Sequence, residues 1–488
     1  MPDPSFEHLR SACATPVVPH APDWPREASL EALEAILCDY ESLDKSPIGR
    51  TKSRPEMVRL LHEPPPEDAR DFLHILSEFQ SKVVGNSFRP SHPRFWAFIA
   101  SAPTFASILA EFLAANANLF AGVWKEAAGA AEVELVVLDW FRHFLGLPTG
   151  TLGLLTGGGS EATLTALTTA RETLSFDDRS RCVLYASEHR HWSVDRGAKI
   201  IGLRPDQIRS LPCDTDYRMQ VDGLEHAITA DLARGLLPWL VLANAGTTNT
   251  GSVDPLADIA AVCARHRLWL HVDAAYGWPM VLLEEGKRLF AGLEQADSIT
   301  LDPHKWFAQP FEAGCLLVRR GELLAKTFTM RPEYMQDVIP REDEINFCDQ
   351  GIALTRRFRA LKIWMSVKLL GVGWYRRLIA HNCALARYAE ALVRTAGCFE
   401  VTSAAKLSIV CFRYVPRDCA IGDAELDTLQ QAIAAELLAS GLAFISTTRL
   451  HGRTTLRFCF VNWRTTAADV DEVVAAIASI GDRMTCIV

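Results

Sequence analysis

From about residue 96 to 370 the chain alternates two kinds of segment, and this alternation limits the fold more than any other feature. Short runs rich in Val, Leu and Ile fall at 181–186, 239–243, 268–272, 298–301 and 314–318. Between and around them lie stretches with helical spacing at 132–145, 160–174, 192–201, 255–266 and 359–370. The short runs are near-continuously apolar, so they predict strands buried on both faces. Strands of that kind, separated by helices, imply an α/β fold with a parallel sheet covered on each side. Ligands of such sheets bind beyond the carboxyl ends of the strands. The chemistry is therefore sought in the segments that directly follow the runs.

The flanks read differently. Residues 1–95 are proline-rich, with helical patches at 30–43 and 69–83 broken by Pro64-Pro65-Pro66. They suit a layer wrapped on something else. After about residue 371 a helix-rich stretch runs to Gly397, followed by two expected strands (406–414, 454–462) and helices at 423–439 and 467–480. This predicts a small α+β C-terminal domain over 371–488, beside a large domain over 96–370.

Composition narrows the function classes. A 49% hydrophobic content excludes disorder over most of the 488 residues. With 50 Lys+Arg against 59 Asp+Glu, no basic face is implied and nucleic acid is not an expected partner. Thirteen cysteines without metal-ligand spacing suit reduced thiols in a cytoplasm, and no metal site is expected. No apolar run approaches the roughly 20 residues of a membrane span.

Five segments carry candidate chemistry. Asp302-Pro303-His304-Lys305-Trp306 follows the run at 298–301, which places a lysine at a strand end. Such a lysine suits Schiff-base chemistry if its site lets the amine become neutral; the pentapeptide alone also reads, less readily, as a surface loop. In His271-Val272-Asp273-Ala274-Ala275-Tyr276, Asp273 ends a strand. A carboxylate there can hold the ring nitrogen of pyridoxal phosphate, with the small Ala275 leaving room for a flat ring; it can also cap a turn. Gly157-Gly158-Gly159-Ser160 opens a helix, an arrangement that cradles a phosphate, and no GK[ST] follows to suggest a nucleotide triphosphate. His189-Arg190-His191 offers a histidine to stack on a ring, and the segment from Asn244 to Gly251 offers small hydroxyl side chains. All five converge on one sheet edge.

In these stretches the chain resembles the group II pyridoxal-phosphate amino-acid decarboxylases, the aromatic L-amino-acid decarboxylase family. The matching segments are HPRFWAFIAS from His92, TGGGSEAT from Thr156, EHRHWSVDRG from Glu188, AGTTNTGSVDP from Ala245, WLHVDAAY from Trp269, ADSITLDPHKW from Ala296 and LTRRFRALKIW from Leu354. The resemblance implies a fold-type I enzyme with a mainly parallel seven-stranded sheet. It further implies a homodimer with shared active sites, in which the N-terminal segment wraps the partner. By position, it implies that Lys305 carries the cofactor as a Schiff base, that Asp273 binds its ring nitrogen and that His191 stacks on the ring. Gly159, Ser160, Ser298 and His304 would hold the phosphate, with Thr248 and Ala275 near the ring. Phe98 and Ser101 would contact the substrate, with Arg94, Trp96 and Trp124 nearby.

The implied reaction is decarboxylation of an aromatic or bulky apolar L-amino acid to its amine. Two departures qualify this expectation. The family usually supplies a tyrosine from the loop before the RRFR motif, here about 327–350, as proton donor; counted back from Arg356, that position is Phe347 or its neighbour, and Tyr334, the only tyrosine of the loop, lies farther upstream. Phenylalanine has no proton to give, and members with Phe there can act as aldehyde synthases, consuming oxygen and releasing an aldehyde, ammonia and peroxide. The second departure is Asp302, where some members have Asn. An aminotransferase on the same fold is a further, weaker alternative.

Overall fold

Seven strands build the central sheet: β1 (Leu152–Thr156), β2 (Cys182–Ser187), β3 (Ile208–Leu211), β4 (Leu237–Asn244), β5 (Trp269–Asp273), β6 (Ser298–Leu301) and β7 (Gly314–Val318). The computed structural model describes residues 4–100, 102–417 and 421–485. The strand order is β1-β7-β6-β5-β4-β2-β3. Neighbours pair in parallel from β6 through β5, β4 and β2 to β3, whereas β7 runs antiparallel to both β6 and β1. The exception has a local cause. A parallel return needs a crossover of a dozen or more residues, usually a helix, and the segment 302–313 between β6 and β7 contains none.

The apolar runs are strands for the expected reason. Every residue of β2, β6 and β7 is buried, and each fully buried Val or Leu side chain contributes about 1.5–3 kcal/mol. The strands the sequence pattern misses are of a different kind. β3 (IRSL) is short and at the sheet edge, and β1 is exposed at its first residue.

The sheet of the small domain has four antiparallel strands, not two, in the order β10-β11-β9-β8: β8 (Phe399–Lys406), β9 (Ile409–Tyr414), β10 (Ser446–Leu450) and β11 (Arg453–Cys459). β8 and β10 are the half-exposed outer strands, which lack an apolar run. The expected helix at 359–370 does not stop there. It continues as Ala360–Ala396, interrupted only by the non-helical Gly371, and ends on the left-handed Gly397. Trp96, expected near a substrate pocket, is fully buried in the C-terminal core, with its ring centroid 4.9 Å from those of Phe458 and Phe460.

By contacts the chain divides into Met1–Arg89 and Pro90–Val488. The first unit holds the helices Trp24–Ser42, Arg54–Leu61 and Phe72–Glu78. Two of these start on side-chain caps: Glu56 accepts from the Ser53 N–H at 3.0 Å, and Asp71 from the His74 N–H at 3.0 Å. No helix among the described residues is long and apolar enough to cross a membrane.

Candidate active site

The carboxyl ends of the parallel strands and the turn after β1 surround a cavity of about 510 Å³. β1 leads straight into Gly157, Gly158 and Gly159, and the helix Gly159–Arg171 begins there. Gly158 has φ +146°, and a Cβ on it would lie 3.2 Å from His304 Cε1. A Cβ on Gly159 would lie 2.9 Å from Asp302 Oδ2. The backbone at Gly158 therefore needs glycine, a Cβ at Gly159 would have to displace the Asp302 carboxylate, and the first-turn N–H groups of the helix have no intrahelical partner to take them up. The result is a cup for an anion.

The opposite wall comes from β5 and β6. Asp273 ends β5, where its Oδ1 accepts from the Ala275 N–H at 3.1 Å. The Asp302 N–H donates to the Ala275 carbonyl at 3.1 Å, and the Lys305 N–H donates to the Asp302 carbonyl at 3.0 Å. This turn aims the Lys305 side chain into the cavity, with Nζ 2.9 Å from Asp302 Oδ2. Burial lowers the proton affinity of Lys305, but the carboxylates of Asp302 and Asp273 outweigh it and hold its pKa above the ordinary lysine value.

Two histidines complete the site. His191 Nδ1 accepts from the Ser193 N–H at 3.2 Å, so its neutral ring carries the proton on Nε2. Burial is the main cause lowering its pKa, which favours this neutral form. His304 Nδ1 accepts from the Ala313 N–H at 3.0 Å, and burial again lowers its pKa. Thr248, from the loop after β4, also lines the cavity.

The structure thus brings together Lys305, Asp273, His191, His304, Gly159, Ser160, Thr248 and Ala275. It does not bring three other expected residues to the cavity. Ser298 begins β6 rather than ending it; its hydroxyl accepts from Trp269 Nε1 and bonds His271 Nδ1, both at 2.8 Å. Phe98 is 58% exposed with φ +56°, its ring edge-on to Phe444. Phe347 is fully buried in the core, with its ring under Arg356 at 4.8 Å. Ser101 lies outside the described residues. Asn244 and Tyr276, at the ends of two of the candidate segments, also line the cavity, and Glu312, just before β7, lines it without a sequence signal.

A lysine at the mouth of a glycine cup, opposite a strand-end carboxylate, fits a flat aldehyde cofactor that carries a phosphate. A family model for the pyridoxal-dependent decarboxylase conserved domain matches residues 55–415. The chain belongs to that family and is a pyridoxal-phosphate-dependent carboxy-lyase. It is 37% identical over 460 residues to an aromatic-L-amino-acid decarboxylase of Bacillus atrophaeus, covering 94% of this chain and 96% of that one. The crystal structure of Oryza sativa TDC with PLP and tryptamine is 29% identical, with a TM-score of 0.91 over 96% of this chain and all of the other. That of Rhodiola rosea 4-hydroxyphenylacetaldehyde synthase is 26% identical, with a TM-score of 0.88 over 96% and 99%.

Proposed function

We propose that the chain decarboxylates an aromatic or bulky apolar L-amino acid to its amine and CO₂, as a cytoplasmic homodimer in which residues 1–95 wrap the partner. The cofactor supplies an aldehyde for a lysine and a ring that takes up the electrons left by departing CO₂. In this reading Lys305 anchors it, Asp273 keeps its ring nitrogen protonated, and the first turn at Gly159 and Ser160 receives its phosphate. His304 fixes the turn that carries Lys305 through the Ala313 N–H. Ala275 gives the ring a flat wall, and the Nε2 proton of His191 is the one to return to the substrate carbon.

The observation that supports the amine over the aldehyde is the position of Phe347. The argument for an aldehyde rests on a phenylalanine standing where a proton donor should reach the reacting atoms. Here that phenyl ring is part of the core. The second reading, decarboxylation with oxidative deamination, is favoured by the likeness to an aldehyde synthase. The test is one reaction in air against a panel of L-amino acids, following CO₂, ammonia, dissolved oxygen and the organic product. CO₂ with an amine and no oxygen uptake is expected. CO₂ with an aldehyde, ammonia and oxygen consumption establishes the second reading instead.

A further inference from the structure

Asp302 is left unexplained by the cofactor assignment. Its side chain is 3% exposed and stands over the first turn of the helix Gly159–Arg171. Oδ2 pairs with Lys305 Nζ at 2.9 Å and lies 3.7 Å from His304 Nε2. Because His304 Nδ1 accepts from a backbone N–H, the neutral ring carries its proton on Nε2, the nitrogen nearer the carboxylate. Oδ1 is buried without a partner. One negative group therefore already sits in a cup built for another. A helix N-terminus favours an anion there, but two like charges in one buried site disfavour each other.

We propose that Asp302 is a positioning residue with two opposed effects: it clamps the Lys305 amine beside the cup, and it weakens the cup's hold on the cofactor's phosphate. The groups facing this pair come from every surrounding element. Lys305 is faced by Asp302, Asp273 and the Cys459 thiol. Asp302 is faced by Lys305, His304, His191 and Cys315, and Glu312 adds negative charge near His304. Burial by itself would make Lys305 easier to deprotonate, and the carboxylates reverse that. Loading the cofactor needs the nitrogen lone pair. Nζ first gives a proton to solvent, then bonds the aldehyde carbon, and the aldehyde oxygen leaves as water. A clamped ammonium slows this sequence at neutral pH. The inference rests on the cofactor assignment and not on the substrate, so failure to decarboxylate any amino acid tested leaves it standing.

The test uses the full-length chain stripped of cofactor. Pyridoxal 5'-phosphate is added across a pH series, and loading is followed by the absorbance of the bound form. In the unmodified chain the loading rate should still be rising at the pH where free lysine is half deprotonated, about 10.4. In Asp302→Asn and Asp302→Ser the rising limb should move down by about one pH unit, with loading about tenfold faster at a fixed pH on that limb. Inorganic phosphate should compete about tenfold more strongly in Asp302→Asn. A wild-type midpoint below that of free lysine, or profiles that superimpose, overturns the clamp. Unchanged phosphate competition overturns the repulsion. The wild-type arm needs no variant to fold.

Discussion

Phe347→Tyr tests, by the addition of one hydroxyl, whether the side chain at 347 stays in the core or reaches the reacting atoms. The segment around Phe347 is fixed on both sides. Asn346 Oδ1 accepts from the Trp124 N–H at 2.9 Å, and the Cys348 N–H donates to the Gly122 carbonyl at 3.0 Å. The ring between them is fully buried, with the Arg356 guanidinium over its face. A tyrosine hydroxyl added there loses water without a provided partner, which costs about 1–3 kcal/mol. Unfolding entropy of about 2.1 cal/mol/K per residue amounts to about 1 kcal/mol/K for this chain, so the melting temperature should fall by about 1–3 °C. The product ratio should not change, because the new hydroxyl stays in the core. Differential scanning calorimetry reads the first quantity; amine, aldehyde and oxygen uptake in air read the second. An unchanged or raised melting temperature together with a shift from aldehyde to amine would refute the reasoning. It would mean that residue 347 reaches the cavity during turnover.

Other outcomes follow from the same geometry. Lys305→Ala should lose both turnover and the absorbance of covalently held cofactor, measured on the purified protein with cofactor added. His271 is fully buried, with its pKa pushed down to about 4 by burial. An unfolded histidine takes its proton near 6.5, so between about 6.5 and 4 the unfolded state binds more protons and stability falls as pH falls. The loss is about 3 kcal/mol across that window. His271→Gln should flatten that part of a denaturation-versus-pH curve. The buried pair of Arg356 and Glu134, 2.6 Å apart, also ties down the Leu155 carbonyl and N–H. Arg356→Met strands the Glu134 charge and should cost about 3–5 kcal/mol in urea unfolding. The double change Arg356→Met, Glu134→Leu should cost less than the single one.

Much of this site was legible because chemistry and topology coincide. Strands buried on both faces announce themselves by continuous apolar runs, and β2, β4, β5, β6 and β7 were placed to within about two residues. Once the strand ends are known, Asp273, Lys305 and His191 fall at one edge. Strands such as β3 and β10 were not legible. They are sheet-edge strands, held by backbone pairing more than by side-chain burial, so their residues carry no period. Ser298 stands away from the cavity for a different reason. It lies four residues before Asp302 along an extended strand, about 13 Å away at 3.3 Å per residue, so a motif match put it in the site where counting along the strand would not. The location of Phe347 follows from packing against residues far away in sequence, which spacing from Arg356 does not report.

The reversed strand β7 bears on how the lysine is kept in place. A parallel neighbour would have required a long excursion over one face of the sheet. Instead the chain leaves β6, passes through Asp302 and Lys305, and re-enters the same sheet beside the strand it left. Both ends of 302–313 are anchored in buried hydrogen-bonded ladders, and Gly314 meets the cup directly, its Cβ position 2.5 Å from Gly158 Cα. The reactive amine thus rides on a closed loop whose ends cannot drift apart, and most of the entropy of placing it is lost when the sheet forms rather than when a ligand arrives. Such a loop has little freedom in length. One inserted residue would shift Lys305 relative to the glycines or slip β7 in register, turning its inward face outward.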